Sequence, residues 1–386
     1  MKRNDSCTLQ FLVFFLVGAA FTTIYITQPV LPVLQLEFGV NEARASLTIS
    51  MVILGIALAN LPFGILSDRY PIRPILLTGG LVVAACGSFC ALTTSLGLLI
   101  VARFVQGLFI PSLTTCLAAQ LAKSLPAERL NVVMGSYVSA TVAGGLGGRL
   151  LGGWIHPPLH WRYAFGSACL LVLAATIATV MWLPQEEPDG ADAPRPVGFL
   201  ELIKRAELFR IYLVAFGGFF VFSSVFNFLP FYLSGPPFGA RTEIITLMYL
   251  SYVVGIIVGP LAGKLSNRIG NGTTMALGAV VFAGSIGVTL LKSMTAMVVA
   301  LVGVCAGFFA IHAAAAGSLN RKVTSSRGRA NSLYILFYYL GGAAGITLSG
   351  HVYMVAGWPG VAGLGGLMLL IPLTTGLMER SKGCTG

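Results

Sequence analysis

The sequence predicts an all-α membrane protein of twelve transmembrane helices, arranged as two six-helix pseudo-repeat bundles around a central cavity. Of the 386 residues, 56% are hydrophobic and only 10% are charged, whereas roughly 25% of an ordinary soluble domain is charged. The apolar stretches divide into twelve, each near the roughly 20 residues that one helical crossing requires. Three short motifs of the first half also recur in order in the second half.

The predicted spans follow one another with short loops, except at the centre of the chain. They cover residues 10–33, 45–67, 74–94, 97–120, 131–153, 162–183, 210–233, 244–265, 273–291, 294–317, 330–353 and 358–378. Span 1 follows Lys2 and Arg3, but its apolar run is too long for a signal peptide, so we expect a retained helix.

The central break is polar and divides the spans six and six. Residues 183–210 are rich in proline, glycine and acidic side chains, which is typical of a linker, followed by a short amphipathic helix around residues 199–208. We therefore expect an N-terminal bundle over 1–183, a cytoplasmic linker over 184–209 and a C-terminal bundle over 210–386.

Basic residues predict the orientation. With both termini in the cytoplasm, 18 of the 24 Lys and Arg residues fall in cytoplasmic segments and four on the opposite face, as the positive-inside rule requires. The net charge of +11 therefore indicates membrane topology rather than nucleic-acid binding. We expect a multi-pass protein of a bacterial-type inner membrane.

The two halves repeat each other at a nearly constant offset. GILSDRYPIRP at 64–74 matches GKLSNRIGNG at 263–272, and RFVQGLF at 103–109 matches GVCAGFF at 303–309. GGLGGRLLGGWIHPPLHW at 144–161 matches GGAAGITLSGHVYMVAGW at 341–358. Repeats related by an axis along the membrane normal place a cavity between the halves at mid-membrane.

The loop after span 2 is a candidate cytoplasmic gate, formed by Gly64, Asp68, Arg69 and Arg73. The Asp68 carboxylate can meet the positive N-terminal end of a neighbouring helix, for which we expect the start of span 11. The alternative is a charged turn that serves topology alone. The second copy has Asn267 in place of the aspartate, so we expect the gate to be asymmetric.

Span 5 carries a glycine-rich face that lets a partner helix approach closely. The glycines assigned to this packing face are Gly144, Gly145, Gly148, Gly152 and Gly153. Because this face lies near the predicted outer end, close packing there would restrict leakage.

These motifs resemble those of the major facilitator superfamily, above all its twelve-helix drug:proton antiporter branch of bacterial exporters. The loop after span 2 matches the family's loop motif, Arg103, Gln106 and Gly107 match its helix 4 motif, and the glycines of span 5 match its antiporter motif. The resemblance runs over the whole chain. It implies the gate, alternating access by rocking of the halves, and packing of span 5 against span 8.

The chain departs from the family pattern at two places. Pro71 and Ile72 replace the usual glycine and basic residue of the loop, so the turn cannot use the positive φ that glycine permits. Arg149 stands where antiporters commonly carry proline. The second departure adds a charge to a helix that the family uses for packing.

Arg103 and Arg149 lie inside spans, whereas no Asp or Glu falls in the middle of any span. A mid-membrane arginine costs at least about 2.5–3.5 kcal/mol on insertion scales, so it should face protein, water or ligand. Both arginines should lie in the outer third, where they could bind an anionic group or couple to a proton carrier. The alternative is a structural role, satisfied by backbone carbonyls, by snorkelling or by pairing with Glu37 or Glu42.

A set of aromatic, amide and basic side chains defines the predicted substrate cavity. It comprises Tyr25, Gln28, Arg103, Gln106, Tyr137, Arg149, Phe226, Asn227, Tyr249, Tyr252, His312, Tyr334 and Tyr338. Rings beside a few amides suit a bulky, partly apolar ligand, although packing between helices is the alternative for any one tyrosine. His312 and Arg103 are candidates for proton coupling, because histidine titrates in the required range.

The sequence thus predicts a secondary transporter that exports small organic compounds in exchange for protons. The alternatives are an organic-anion uniporter or exchanger that uses the buried arginines, and a membrane receptor or scaffold that transports nothing. Motifs of hydrolases, phosphate loops and zinc sites are missing, so we expect no enzymatic activity, no metal and no cofactor. The expected partners are a small-molecule substrate, protons and the lipid bilayer, with the protein a monomer.

Overall fold

The computed structural model consists of helices joined by short turns in the part of the chain that it describes, which comprises residues 3–125, 127–183, 198–323 and 327–383. Side chains are described there except for residues 3–6, 68, 122–124, 127–132, 135 and 381–383. Within these ranges no β-strand occurs, which confirms the all-α class. The predicted linker lies outside the described residues between 184 and 197.

The first compact unit comprises Met1–Phe38 and Met51–Asp192. Its helices are α1 (Arg3–Ile24), α2 (Leu31–Phe38), α3 (Glu42–Arg69), α4 (Ile72–Leu92), α5 (Leu96–Ser124), α6 (Ala127–Ile155) and α7 (Trp161–Trp182). The first turns of α3 are the exception, because Gly39–Ser50 belongs to the second unit.

The second compact unit comprises Gly39–Ser50 and Ala193–Gly386. Its helices are α8 (Phe199–Lys204), α9 (Ala206–Ser234), α10 (Thr242–Met248), α11 (Val253–Ile269), α12 (Asn271–Val288), α13 (Met294–Lys322), α14 (Arg327–Met368) and α15 (Leu370–Gly383). The predicted amphipathic helix is shorter than expected, since α8 ends at Lys204 and α9 begins two residues later.

The predicted spans coincide with helices. Ten segments of the described residues are long and apolar enough to cross a membrane. One of them, Arg327–Arg380, contains both span 11 and span 12, and the backbone leaves the helical conformation between the two spans at Gly357. Span 5 corresponds to α6, which is 29 residues long and carries Arg149 and the glycine-rich run.

Two predicted spans are interrupted rather than continuous. Span 1 consists of α1 and α2, joined by a turn and a short 3₁₀ helix over Gln28–Val30. Span 8 consists of α10 and α11, joined by a 3₁₀ turn over Tyr249–Tyr252. The hydropathy pattern did not predict either interruption, because apolar residues continue through both.

Glycines bring α6 directly onto the backbone of α1. A Cβ atom built on Gly144 would lie 2.3 Å from the Gly18 carbonyl oxygen, and one on Gly148 would lie 2.1 Å from the Thr22 carbonyl oxygen. The Thr22 hydroxyl also donates a hydrogen bond to the Gly144 carbonyl, at 3.3 Å. Only residues without a side chain permit so close an approach.

The second unit repeats this packing between α9 and α14. A Cβ on Gly341 would lie 2.1 Å from the Phe216 carbonyl oxygen, and one on Gly345 would lie 2.3 Å from the Phe220 carbonyl oxygen. The Ser223 hydroxyl donates to the Gly342 carbonyl, at 3.0 Å. These glycines stand 197 residues after Gly144 and Gly148, so the sequence repeat corresponds to a repeated helix contact.

Candidate functional site

Arg103 on α5 is fully buried and binds the end of α1. One guanidinium nitrogen, Nη1, donates to the Thr23 carbonyl at 2.7 Å and to Gln106 Oε1 at 2.5 Å, and Nη2 donates to the Ile24 carbonyl. Gln106 in turn donates from Nε2 to the Val83 carbonyl of α4, at 3.0 Å. The guanidinium therefore connects three helices of the first unit through neutral acceptors.

Arg149 on α6 binds the interruption of span 1 and is 2% exposed. Its Nε donates to Gln28 Oε1 at 2.6 Å, and its Nη1 donates to the Gly145 carbonyl at 2.7 Å. The guanidinium carbon lies 3.9 Å from the centroid of the Tyr25 ring, which is a cation–π geometry. Arg149, Tyr25 and Gln28 thus form one buried cluster, which we call the Arg149 cluster.

Glu37, one of the acids considered as an alternative partner for the buried arginines, binds the start of α7. Glu37 Oε1 accepts a hydrogen bond from Arg162 Nη1 at 2.5 Å, and its Oε2 accepts one from Trp161 Nε1 at 2.5 Å. Arg162 also donates to the Thr93 carbonyl at 3.0 Å. Glu37 therefore joins α2 to the start of α7, and Arg103 and Arg149 are stabilised by carbonyls, amides and rings instead.

His312 on α13 lies in an aromatic cluster of the second unit. Its Nδ1 and the Tyr334 hydroxyl are 3.0 Å apart, and its ring centroid lies 5.3 Å from that of Tyr338. Tyr338 stacks on Phe219 with centroids 3.8 Å apart, and Phe308 lies 6.0 Å from His312. The predicted residues His312, Tyr334 and Tyr338 are thus brought together, and with Phe219 and Phe308 they form what we call the His312 cluster.

The aromatic cluster continues along α9 to the interrupted span 8. Phe222 stacks on Phe308 at 3.9 Å and lies 4.8 Å from Phe226, whose ring lies 4.5 Å from Tyr252. The Tyr249 hydroxyl donates to the Phe226 carbonyl at 3.0 Å. The predicted residues Phe226, Tyr249 and Tyr252 therefore share one apolar surface with the histidine.

Two predicted cavity residues lie apart from these clusters. Asn227 is fully buried and donates from Nδ2 to the Ser46 hydroxyl at 2.8 Å, at the part of α3 that belongs to the second unit. Tyr137 is half-buried on α6. Neither contributes to the Arg149 cluster or to the His312 cluster in the contacts of the described residues.

The structure shows where three of the four predicted gate residues lie. Arg73, at the start of α4, donates from Nη2 to the Leu183 carbonyl at 2.5 Å, beyond the last turn of α7. Arg69 is exposed and Gly64 is half-buried. The side chain of Asp68 lies outside the described residues, so its expected contact with the start of a helix remains a prediction.

Three of the glycines of span 5 lie against span 1. A Cβ on Gly144, Gly148 or Gly152 would meet the backbone of Gly18, Thr22 or Ile26. The expected packing of span 5 against span 8 remains a prediction. Gly145 has a different environment: a Cβ there would lie 3.4 Å from Arg149 Nη1. Gly153 lies beside Gly152 at the end of α6, and no contact assigns it a role.

Sequence reasoning missed several residues of these clusters. Phe219, Phe222 and Phe308 supply the stacked rings around the histidine. A spacing of three residues, which places Phe219 and Phe222 on one face of a helix, was the available signal. The carbonyls of Thr23 and Ile24 had no sequence signal, because any residue supplies a carbonyl. Among the described residues, no group of three or more His, Cys, Asp or Glu side chains could hold a metal.

The helices and buried clusters define a polytopic membrane protein built from two related units. Comparison with known proteins identifies its class. The model of the Major Facilitator Superfamily matches residues 13–310 and 235–380. The chain belongs to this superfamily, and it is a multi-pass membrane transporter.

Relatives and solved structures agree with this assignment. The chain is 27% identical to the MFS-type transporter YybF of Bacillus subtilis, covering 95% of this chain and 93% of that protein. It is 28% identical to the inner membrane transport protein YnfM of Escherichia coli, covering 93% and 87%. Among solved structures it is similar in fold to an inward-facing, unoccupied bacterial homologue of the human lysosomal transporter Spinster, with a TM-score of 0.72, 15% identity and coverage of 98% and 95%.

Proposed function

We propose that the protein exports small organic compounds across a bacterial inner membrane in exchange for protons, by alternating access. The observation that supports this function is the His312 cluster, in which a histidine lies beside Tyr334 and the stacked rings of Phe219 and Tyr338. The proposal includes the antiporter branch, cytoplasmic termini and a monomeric state.

The chemistry of the cluster favours exchange between a proton and an organic cation. Aromatic faces attract cations, and histidine is the side chain whose unperturbed pKa lies nearest to neutral pH. A proton on His312 would repel a cation held on the neighbouring Phe308 and Tyr338 rings. Binding of the two would then be mutually exclusive, which is the property that an antiporter requires.

The anion alternative has less support. Arg103 and Arg149 donate to carbonyls and amide oxygens of the first unit, and each guanidinium lies near an aromatic ring. An anionic substrate would have to replace these partners. The scaffold alternative has no contact that favours it, and the same experiment tests it.

Transport by the purified protein in liposomes tests the proposal, with ethidium as a permanently charged cation and carboxyfluorescein as an anion. An acidic lumen should accelerate ethidium uptake through molecules whose cytoplasmic side faces the buffer. His312→Gln should remove the acceleration. His351→Gln is the matched control, because that histidine is exposed and its Nδ1 lies 3.0 Å from the Thr347 carbonyl of the same helix.

The outcomes separate the three functions. Ethidium uptake that is faster with the gradient and loses this dependence in His312→Gln supports proton-coupled export. Uptake of carboxyfluorescein at a rate that does not depend on the pH gradient supports the anion alternative. Binding of either dye without any uptake supports a scaffold, and equal loss in both histidine variants contradicts the role of His312.

A further inference from the structure

The interruption of span 1 leaves backbone carbonyls without their helical partners. α1 ends at Ile24, and Pro29 has no N–H to donate to the Tyr25 carbonyl. That carbonyl instead accepts from Gln28 N at 3.0 Å, which tightens the chain into a 3₁₀ turn. The Thr23 and Ile24 carbonyls accept from Arg103.

The Arg149 cluster fixes the other side of the same interruption. Arg149 reaches Tyr25 with the face of its guanidinium and Gln28 with Nε. Gly145 lies beside this arrangement, since a Cβ there would be at ordinary contact distance, 3.4 Å from Arg149 Nη1 and 3.7 Å from the Tyr25 ring. One guanidinium therefore sets the positions of two side chains on the segment between α1 and α2.

The second unit has other residues at the positions that correspond to the Arg149 cluster. The repeated helix contact places Phe216 and Phe220 at the positions of Gly18 and Thr22. The same offset puts Ser223 opposite Tyr25 and Phe226 opposite Gln28, and the sequence repeat puts Ile346 opposite Arg149. There α9 is one continuous helix over Ala206–Ser234, and Ile346 is fully buried. Gly303 stands at the repeat position of Arg103. Both buried arginines thus occur only in the unit whose first span is interrupted.

We propose that Arg149 is a positioning residue, which holds the interruption of span 1 and thereby orients Tyr25 and Gln28, without contacting the substrate. A residue that bound substrate would present its donors to the ligand. The donors of Arg149 that the contacts account for point to Gln28 and to the backbone of α6. The transport part of this proposal rests on the proposed export function, whereas the conformational part does not.

Hydrogen–deuterium exchange of the purified full-length protein tests the conformational part. Arg149→Leu should raise amide exchange over residues 23–30 by about tenfold, because this segment loses the groups that hold it. Arg149→Lys should not restore protection, since an ammonium cannot both stack on Tyr25 and bond to Gln28 in the same way. Arg241→Leu is the control, because that arginine is exposed at the start of α10.

A second variant keeps the test decisive if Arg149→Leu does not fold. Gln28→Leu removes the amide acceptor and leaves the arginine on the Tyr25 ring, so it should raise exchange in the same segment by a smaller factor. Unchanged exchange over residues 23–30 in whichever variant folds would overturn the proposal.

Ethidium transport then separates positioning from substrate contact. Arg149→Leu should lower the maximal rate by about tenfold and leave KM for ethidium nearly unchanged, because the residue acts through its neighbours. A raised KM with an unchanged maximal rate would overturn the proposal, since it indicates direct binding. If the wild-type protein moves no dye, the export function fails, and the exchange measurement still decides whether Arg149 holds the interruption.

Discussion

At the scale of single residues, the two buried arginines explain how this chain tolerates charge inside its spans. Both bind the segment where span 1 is interrupted, Arg103 through the Thr23 and Ile24 carbonyls and Arg149 through Gln28. The sequence indicated that such arginines must face protein, water or ligand. It did not indicate the actual partners, because the freed carbonyls depend on where a helix ends rather than on residue type.

Gly148 is the residue at which close helix packing can be tested most directly. A Cβ there would lie 2.1 Å from the Thr22 carbonyl oxygen, so Gly148→Ala must push α6 away from α1. We expect a loss of about 1–3 kcal/mol of stability, which is typical of overpacking. Thermal unfolding of the protein in detergent measures the effect.

Gly147→Ala is the matched control for this substitution. It changes the adjacent glycine on the same helix, where the nearest atom to an added Cβ, Thr22 Oγ1, is 3.8 Å away. The control should unfold near the wild-type temperature. Equal unfolding temperatures for the two variants would show that the close contact between α6 and α1 does not limit stability.

At the scale of helices, sequence patterns located the spans better than their interruptions. The limits of α4, α5 and α7 lie within a few residues of spans 3, 4 and 6. Hydropathy sums over a window, so a turn of one or two residues within an apolar run leaves little trace. The breaks at Gln28 and Tyr249 escaped prediction for this reason, although Pro29 was a visible helix breaker.

The junction between spans 11 and 12 depends on one backbone conformation. Gly357 has φ +57° and ψ −152°, a conformation that residues with a side chain rarely adopt. The following Trp358 is buried, stacks on Tyr232 at 4.6 Å and donates to Thr289 Oγ1 at 2.8 Å. The turn at Gly357 therefore places the Trp358 ring in its buried position against Tyr232 and Thr289.

Gly357→Ala should destabilise the protein by about 1–3 kcal/mol, the cost of holding a residue with a side chain in a backbone conformation that glycine alone adopts readily. Quenching of tryptophan fluorescence by a water-soluble quencher should also increase if Trp358 leaves its buried site. Gly363→Ala is the control, because it lies on the same helix with open space around an added Cβ and no positive φ. A variant as stable as this control would contradict the strain that we assign to the junction.

At the scale of the whole molecule, the chain combines a repeated framework with clusters that are not repeated. The contacts of α1 with α6 recur between α9 and α14. The Arg149 cluster occurs only in the first unit and the His312 cluster only in the second. The repeat was visible in the sequence because glycine spacing preserves packing. The clusters were only partly visible, because Phe219 of the His312 cluster lies on α9, whereas His312 lies on α13.

The orientation of the molecule can be tested with two lysines at opposite predicted faces. Lys204 ends α8 and Lys292 lies in the turn before α13; both are exposed. Each would be changed to cysteine in a background without the seven native cysteines. In intact cells with a permeable outer layer, a membrane-impermeant maleimide should label Lys292→Cys, and it should label Lys204→Cys only after the inner membrane is opened.

This outcome follows from the distribution of basic residues, because 18 of the 24 Lys and Arg residues lie on the side assigned to the cytoplasm. The reverse labelling pattern would invert the topology and place Lys204 outside. The cytoplasmic and outer faces of the protein would then be exchanged, and the proposed export by way of the His312 cluster would become import. Labelling of both positions in intact cells would contradict an odd number of crossings between them. The maleimide experiment therefore tests the direction of the proposed transport before any substrate is known.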